Sequence, residues 1–393
     1  MRRLGCRIAG MPVGGDHDRS AGRRMQAEWT AVPRVGDVVI DPRSSPRIPP
    51  IRAEGQPGSI QRSAERRTMT AMSTTTYAAR LTDVQAAAER IAPYIHRTPI
   101  MTSEALDRRA GRSLVFKCEN LQKVGAFKMR GAANAVMTLT DEIAQRGVVT
   151  HSSGNFAQAL ALAAKQRGIA AHIVMPRTAP SVKRDAVAGY GATIYECEPT
   201  LEARETTAAE VIERTGGTLL HPYNHADIIA GQGTCGLELL DQAGELDAVI
   251  APIGGGGLMS GLCITCRGID ERVRLFAAEP RGADDAARSF AAGELIPQTC
   301  PDTIADGLLT SLGDLTWPIV RDHLDAIITV SDEQIIAAMK LVWQRMKLVI
   351  EPSAAVPVAA VLTDKFRSLE GLDRVGVVLS GGNVDLDRLP WYK

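Results

Sequence analysis

From Leu81 onward the chain alternates short β-branched runs with segments of helical periodicity, and this alternation is the feature that most narrows its fold. It specifies an α/β architecture, a mostly parallel sheet with helices on both faces. Strands are expected at Leu114 to Cys118, Val148 to His151, Ala171 to Met175, Thr193 to Glu196, Ala248 to Pro252, Arg274 to Ala278, Ala326 to Val330 and Gly376 to Leu379. Helices are expected between them, among them Phe156 to Arg167 and Asp332 to Lys347, the latter opening on an Asp suited to N-capping.

The 393 residues, 45% of them hydrophobic, suffice for one large core or two moderate ones, and ordinary domain sizes favour two. Acidic and basic residues balance at 45 each, so no net field gathers nucleic acid or an anionic membrane; a small-molecule function fits better. Seven scattered cysteines, an odd number, argue against a secreted disulfide framework and for a reducing cytoplasm. Cys263 and Cys266 stand at helical spacing in an apolar stretch without a second pair or a nearby His, and read as buried small residues. No apolar run reaches the roughly 18 to 20 residues that span a bilayer. Residues 1–72 are Arg-rich, broken by Pro and Gly and without periodicity. They read as a disordered extension or as an artefact of the start site, with translation beginning at Met69 or Met72. Acidic residues such as Asp16, Glu28 and Asp37, and the lack of an apolar core, argue against a targeting peptide.

The chemistry-bearing residues fall between these elements. Lys123-Val-Gly-Ala-Phe-Lys128-Met-Arg-Gly131 follows a strand and leads into a helix. There the helix dipole and the apolar neighbours Val124 and Phe127 disfavour the ammonium form of Lys128, and a neutral amine is what imine formation needs; a solvated lysine is the plain alternative. His151-Ser-Ser-Gly-Asn155 offers Ser152, Ser153, Asn155 and backbone N–H groups to a substrate carboxylate, or simply caps a helix. Pro252-Ile-Gly-Gly-Gly-Gly-Leu258 lets the backbone approach a phosphate. It fits neither a P-loop nor a dinucleotide fingerprint, so a phosphate without a nucleotide is the simpler reading. Ser380, in Leu379-Ser-Gly-Gly-Asn-Val384 at the end of the last strand, can hydrogen-bond a ring nitrogen, unless the segment is only a turn. Glu279 and Asp285 bracket a turn and, with a backbone carbonyl and water, suit Mg²⁺ or Ca²⁺; a solvated acidic loop is the alternative.

In order and spacing these segments resemble the fold-type II pyridoxal-5'-phosphate (PLP) enzymes, and within them the serine racemase and serine/threonine dehydratase family, from about residue 78 to the C-terminus. Gly231-Gln-Gly-Thr234, Thr303-Ile-Ala-Asp-Gly307, Leu315-Thr-Trp-Pro-Ile-Val-Arg321, Met346-Lys-Leu-Val-Ile-Glu-Pro-Ser353 and Ser380-Gly-Gly-Asn-Val-Asp385 add to the match. The resemblance implies a tryptophan synthase β-like fold, with a large PLP-binding domain of residues 73–146 and 225–393 and a small mobile substrate domain of residues 147–224. Each would be a mostly parallel sheet flanked by helices. It further implies Lys128 as the Schiff-base lysine and catalytic base, Phe127 and Asn155 beside the ring, and Gly254, Gly255, Gly256, Gly257 and Leu258 on the phosphate. Ser380 would face the pyridine nitrogen, where a hydroxyl leaves the ring a weaker electron sink than a carboxylate does. Ser153 matches the group that returns a proton to Cα from the opposite face. Ser152, Ser153, Gly154, Asn155, Gln158 and Arg204 match substrate contacts, Arg204 being the arginine linked with acidic substrates. Glu279, the Ala283 carbonyl and Asp285 match a divalent-cation site, and Ser103, Lys123, Gln158, Tyr190 and Asn383 match an ATP site at a dimer interface. Mg²⁺ or Ca²⁺, ATP as activator and a homodimer are therefore implied as well. The sequence departs from the family where Phe156 replaces a histidine and where Glu104, a carboxylate, stands in place of a serine that would face ATP.

The activity expected first is deamination of L-threonine and L-serine to 2-oxobutanoate and pyruvate with ammonia. Serine racemisation with dehydratase side activity, a 3-hydroxyaspartate ammonia-lyase and a PLP-binding regulator without turnover are the alternatives. The proton-transfer groups Lys128 and Ser153 argue against the last. With no regulatory domain expected after the core, feedback control by isoleucine is not expected.

Overall fold

The structure is a computed structural model that describes residues 76–392 apart from Pro180; the expectations for residues 1–72 and Cys6 lie outside them. The described residues form one compact unit. Helix α1 (Leu81–Ile91) leads to the edge strand β1 (Ile100–Met101), α2 (Glu104–Ala110) and β2 (Ser113–Cys118). There follow α3 (Lys128–Thr138), α4 (Asp141–Ala144), β3 (Val148–Thr150), α5 (Asn155–Arg167), β4 (Ala171–Pro176), α6 (Ser181–Gly189), β5 (Thr193–Cys197), α7 (Leu201–Thr215) and β6 (Thr218–Leu219). The chain then returns through α8 (Ala226–Ala243), β7 (Ala248–Pro252), α9 (Gly257–Ile269), β8 (Arg274–Pro280), α10 (Asp285–Ala292), α11 (Trp317–His323) and β9 (Ala326–Val330). It ends with α12 (Asp332–Met346), α13 (Pro352–Val361), α14 (Asp364–Arg367) and β10 (Arg374–Leu379).

Two sheets result. The larger has the order β1-β2-β10-β7-β8-β9, parallel except for β1, and the smaller has the order β5-β4-β3-β6, parallel throughout. Each strand expected from sequence is present, within two residues at either end. The strands that periodicity missed, β1 and β6, are two residues long and too short to show alternation. The inner strands β2, β10 and β7 bury almost every residue, as parallel strands covered on both faces must, whereas β5 and β6 at the rim of the smaller sheet are largely half-exposed. One helix expectation is corrected. Asp332 does not cap α12; Ser331 does, through its hydroxyl, while the Asp332 carboxylate accepts bonds from Thr303 Oγ1 and the Ile304 amide. A serine one residue earlier is sterically free to reach the first turn, and that leaves the aspartate to tie a loop down.

In the larger sheet, β10 sits between β2 and β7, where the run of strand order reverses. Ligands of open parallel sheets collect outside the carboxyl ends of strands at such a point. Here the three ends lead to Lys128 from β2, to Ser380 from β10 and to the glycine run from β7. Behind them α8 and α9 cross so closely that a Cβ on Gly261 would lie 2.4 Å from the Gly233 amide nitrogen. Cys263 and Cys266 are buried in α9 as free thiols, with burial raising both, so the packing role expected of them holds. Among the described residues no helix is long and apolar enough to cross a membrane.

Candidate active site

Lys128 is the first residue of α3. The preceding turn is pinned to the end of β10 by the Phe127 amide, which donates to the Ser380 carbonyl at 3.0 Å, and by the bridge of Ala126 to Gly381. The Lys128 amine donates to the Pro222 carbonyl at 3.1 Å and stands 5.0 Å from the centre of the Phe127 ring and 5.9 Å from that of Phe156. Burial among these groups pulls the lysine down to about 8, with the Glu351 carboxylate opposing. Phe156, buried in α5, contributes an apolar wall at this point.

The glycine run lies against the segment that holds Lys128. A Cβ on Gly255 would meet the Tyr223 ring at 2.4 Å, one on Gly257 would meet Tyr223 Cβ at 2.9 Å, and one on Gly256, whose φ is +85°, would meet Thr316 at 2.8 Å. No other residue fits this turn. Gly257 and Leu258 open α9, so the first amides of that helix have no partner within it and face outward over the turn. Ser380, nearly fully buried, directly follows β10, the strand paired with β7.

From the smaller sheet, the end of β3 delivers His151, Ser152, Ser153 and Gly154, with Asn155 opening α5. Thr150, the last residue of β3, has a buried hydroxyl without a partner. The His151 and His221 rings lie 5.9 Å apart, and those of His221 and Tyr223 4.5 Å apart. Burial, helped by His151 and Lys128, pushes His221 down to about 4, which keeps it neutral beside the lysine. Burial also lowers His151; of the nearby charges on α7, Glu205 opposes the shift and Arg204 adds a smaller lowering. The Arg204 Nε atom is buried with no partner.

Lys128, Phe127, Asn155, Ser380 and the glycine run are thus brought together, with Ser152 and Ser153 in the loop that precedes Asn155. The acidic turn lies behind the glycine run. Glu279, at the end of β8, is fully buried and accepts the Ala286 and Ala287 amides at 3.0 and 2.8 Å. Asp285 accepts the Leu312 amide, and its Oδ1 atom is buried without a partner. Burial, with the neighbouring aspartates adding to it, raises Glu279 to about 8 and Asp285 to about 6. Among the described residues no three His, Cys, Asp or Glu side chains gather as a metal cluster, so a cation here would need the Ala283 carbonyl and water to complete its shell. Of the residues matched to ATP, Asn383 donates to the Val124 carbonyl beside Lys123, Gln158 lies one turn along α5 from Asn155, Ser103 precedes α2 and Tyr190 follows α6.

Sequence reasoning missed Glu351, His221 and Tyr223. Glu351 is buried and takes the Asn155 amide nitrogen on both carboxylate oxygens, at 3.0 and 3.1 Å. It falls within the Met346 to Ser353 segment of the family match, which assigns it no role, and its local signal is a carboxylate inside an otherwise apolar run, Leu348-Val-Ile-Glu351-Pro. Arg130, two residues past Lys128, was missed as well. It is fully buried, donates to both oxygens of Glu119 at 2.7 Å and to both of Glu238 at 2.7 and 2.8 Å, and Lys117 joins Glu238 at 2.6 Å.

A half-buried lysine among aromatic rings at a helix start and a glycine turn without room for side chains, at the switch point of a parallel sheet, define an enzyme site suited to a phosphorylated aldehyde cofactor. The comparisons say which. The family described as "Pyridoxal-phosphate dependent enzyme" matches residues 91–381, and the chain belongs to it. A β-hydroxyaspartate dehydratase of Paracoccus denitrificans (strain Pd 1222) is 54% identical over 309 residues, 79% of this chain and 98% of that one. A serine racemase of Dictyostelium discoideum is 50% identical over 311 residues, 79% and 96% of the two chains. The structure of maize serine racemase superposes with a TM-score of 0.78 at 50% identity, covering 79% of this chain and 95% of that one. The fold is that of the fold-type II PLP enzymes, and the chain is a PLP-dependent enzyme of the lyase and racemase kind. These relatives favour the readings placed second in the sequence, racemisation and hydroxyaspartate dehydration, over a threonine-first ammonia-lyase.

Proposed function

We propose that this enzyme eliminates water from 3-hydroxyaspartate, the resulting enamine tautomerising to an imine that water then hydrolyses to oxaloacetate and ammonia, and that it racemises serine as a second activity. The observation that carries the first part is Arg204: a guanidinium on α7 whose buried Nε lacks a partner, near His151 in the loop that follows β3. A β-carboxylate would supply that partner as a charge-assisted bond, whereas serine and threonine carry no anion there. When bound, PLP acts as an electron sink that acidifies Cα. Lys128, near neutrality at about 8, takes the Cα proton. Ser152, Ser153, Gly154, Asn155 and Gln158 hold the α-carboxylate, Gly254 to Gly257 and Leu258 hold the phosphate, and Phe127 and Ser380 fix the ring. The serine activity rests on Ser153, which returns the proton from the side opposite Lys128.

Other features follow from the same reading. The two separate sheets support a small domain of residues 147–224 that closes on residues 73–146 and 225–393. The orphaned Asp285 oxygen and buried Glu279 suit Mg²⁺ or Ca²⁺ with the Ala283 carbonyl. A cytoplasmic homodimer that takes ATP near Lys123 and Asn383 completes the proposal. The deciding experiment is a panel of 3-hydroxyaspartate, L-serine and L-threonine with purified protein, scoring keto acid and D-serine, with and without Mg²⁺ and ATP. Arg204→Ala should raise KM for 3-hydroxyaspartate at least about tenfold and leave serine nearly unchanged. Threonine as best substrate, or equal losses on both substrates, would sink the assignment.

A further inference from the structure

Glu351 precedes α13 and is 4% exposed. Its backbone amide donates to the Gly381 carbonyl at 3.0 Å, and a Cβ on Gly381 would lie 2.5 Å from Glu351 Oε1, so the carboxylate is clamped against the end of β10. Asn155 sits between two partners of opposite demand. Its amide nitrogen donates to both Glu351 oxygens, and its amide oxygen accepts from Asn383 Nδ2 at 2.9 Å. Asn383 is in turn committed, because the same nitrogen donates to the Val124 carbonyl at 2.7 Å. The order of donors and acceptors along Val124, Asn383, Asn155 and Glu351 therefore allows the Asn155 amide one orientation only, provided that Glu351 is an acceptor on both oxygens.

We infer that Glu351 is a positioning residue, whose carboxylate fixes which end of the Asn155 amide meets the cofactor ring, and that taking up a proton releases that orientation. A protonated Glu351 keeps one acceptor and gains an O–H that must find its own acceptor, and Asn155 Oδ1 is already engaged by Asn383. The charged groups felt at this carboxylate are Lys128 on α3, Lys183 on α6 and Asp306, which is ion-paired with Lys183. Burial first, and Asp306 second, raise Glu351 to about 7, so the change of state falls inside the working range of pH. The raised value means that the proton is held below about pH 7 and lost above it, and the ordered arrangement belongs to the alkaline side. This inference rests on the assignment of Asn155 to the PLP ring.

The test uses PLP-loaded full-length protein without substrate, following the visible absorbance and circular dichroism of the cofactor from pH 5.5 to 9. The unmodified enzyme should show a one-proton step centred near 7. Glu351→Gln should bind PLP and lose the step, and its kcat should fall by roughly 10² with KM little changed, as expected for a misoriented group near the chemistry. Glu351→Asp, which still ionises but is one methylene shorter, should keep a step at a displaced pH and serves if the glutamine variant does not fold. An unmodified enzyme without a step near 7, a Glu351→Gln step identical to the unmodified one, or an undisplaced Glu351→Asp step overturns the inference. Asn155→Ala separates the two layers. A variant spectrum equal to that of the unmodified protein removes Asn155 from the ring, whereas a shifted spectrum alongside an intact Glu351→Gln step removes Glu351 alone.

Discussion

Lys128 and Arg130 are two residues apart on the same helix turn, and the protein treats their charges in opposite ways. Every face of Arg130 is met: Glu119 and Glu238 each take two bonds, Thr234 a further one at 3.2 Å, and Thr98 and Lys117 close the network behind them. Burial opposes its charge, yet the two carboxylates outweigh that and hold it more firmly protonated than a free arginine. Lys128 has one carbonyl, two aromatic rings and a falling proton affinity. Charge that serves the scaffold is paired until it cannot titrate, and charge that serves chemistry is left short of partners so that it can.

The contrast is broken most directly at its reactive end. Lys128→Ala should abolish turnover, a loss of at least about 10³-fold, and leave the fold intact. Borohydride reduction of the PLP-loaded protein followed by peptide mapping should place the label on Lys128, and a label on any other lysine would refute its role. The next largest effect lies at the paired end. Arg130→Met leaves Glu119 and Glu238 buried beside an apolar group, a loss of about 3–5 kcal/mol in denaturant unfolding, because the carboxylates lose the partner that made their burial tolerable. A variant that unfolds as readily as the unmodified protein but no longer fixes PLP would reverse the roles given to the two residues.

The same contrast explains what was legible in the sequence. Strands β7, β8 and β10 announce themselves because both faces are covered and the run is mostly apolar, wholly so in Ala248 to Pro252. The glycine run is equally plain, since four glycines in succession have few other uses. The paired network was not visible. Glu119, Arg130 and Glu238 look like surface charges until tertiary structure packs α3 on α8 and α8 on β2. Glu351 escaped for a related reason: one carboxylate in an apolar run is ambiguous until Asn155, 196 positions earlier, is seen to donate to it. Local pattern encodes strands and turns, whereas partnership between distant charges is a product of the fold.

Two smaller effects test the unpaired side. Ser153→Ala should reduce turnover of D-serine by about 10² and that of L-serine by much less, the range of a lost acid/base group on one face; equal losses would remove its role. Mg²⁺ at a hundred times its Kd should add about 2.7 kcal/mol to unfolding of the unmodified protein, and Asp285→Asn, which alters the orphaned oxygen, should cancel most of that gain. A gain that survives the substitution would move the cation elsewhere.

The smallest expected effect separates the two charges most cleanly, because it reverses sign between them. Free of PLP, Lys128 has its amine lowered by burial from 10.5 to about 8. The folded state thus binds the proton more weakly than the unfolded chain, so folding is penalised wherever the lysine must be charged. That penalty is complete below about pH 8 and fades as pH rises toward 10.5. Lys128→Met removes it and should stabilise the PLP-free protein by on the order of 1 kcal/mol at pH 7, reduced from a larger nominal figure because the side chain keeps some contact with solvent. The gain should shrink steadily between pH 8 and 10.5, as read from denaturant midpoints at fixed slope. Arg130→Met, whose partners never release it in this range, should show its loss at every pH. If Lys128→Met also destabilised the apoprotein at pH 7, the lysine would belong with the paired network, and its low proton affinity would not mark a group held ready for chemistry.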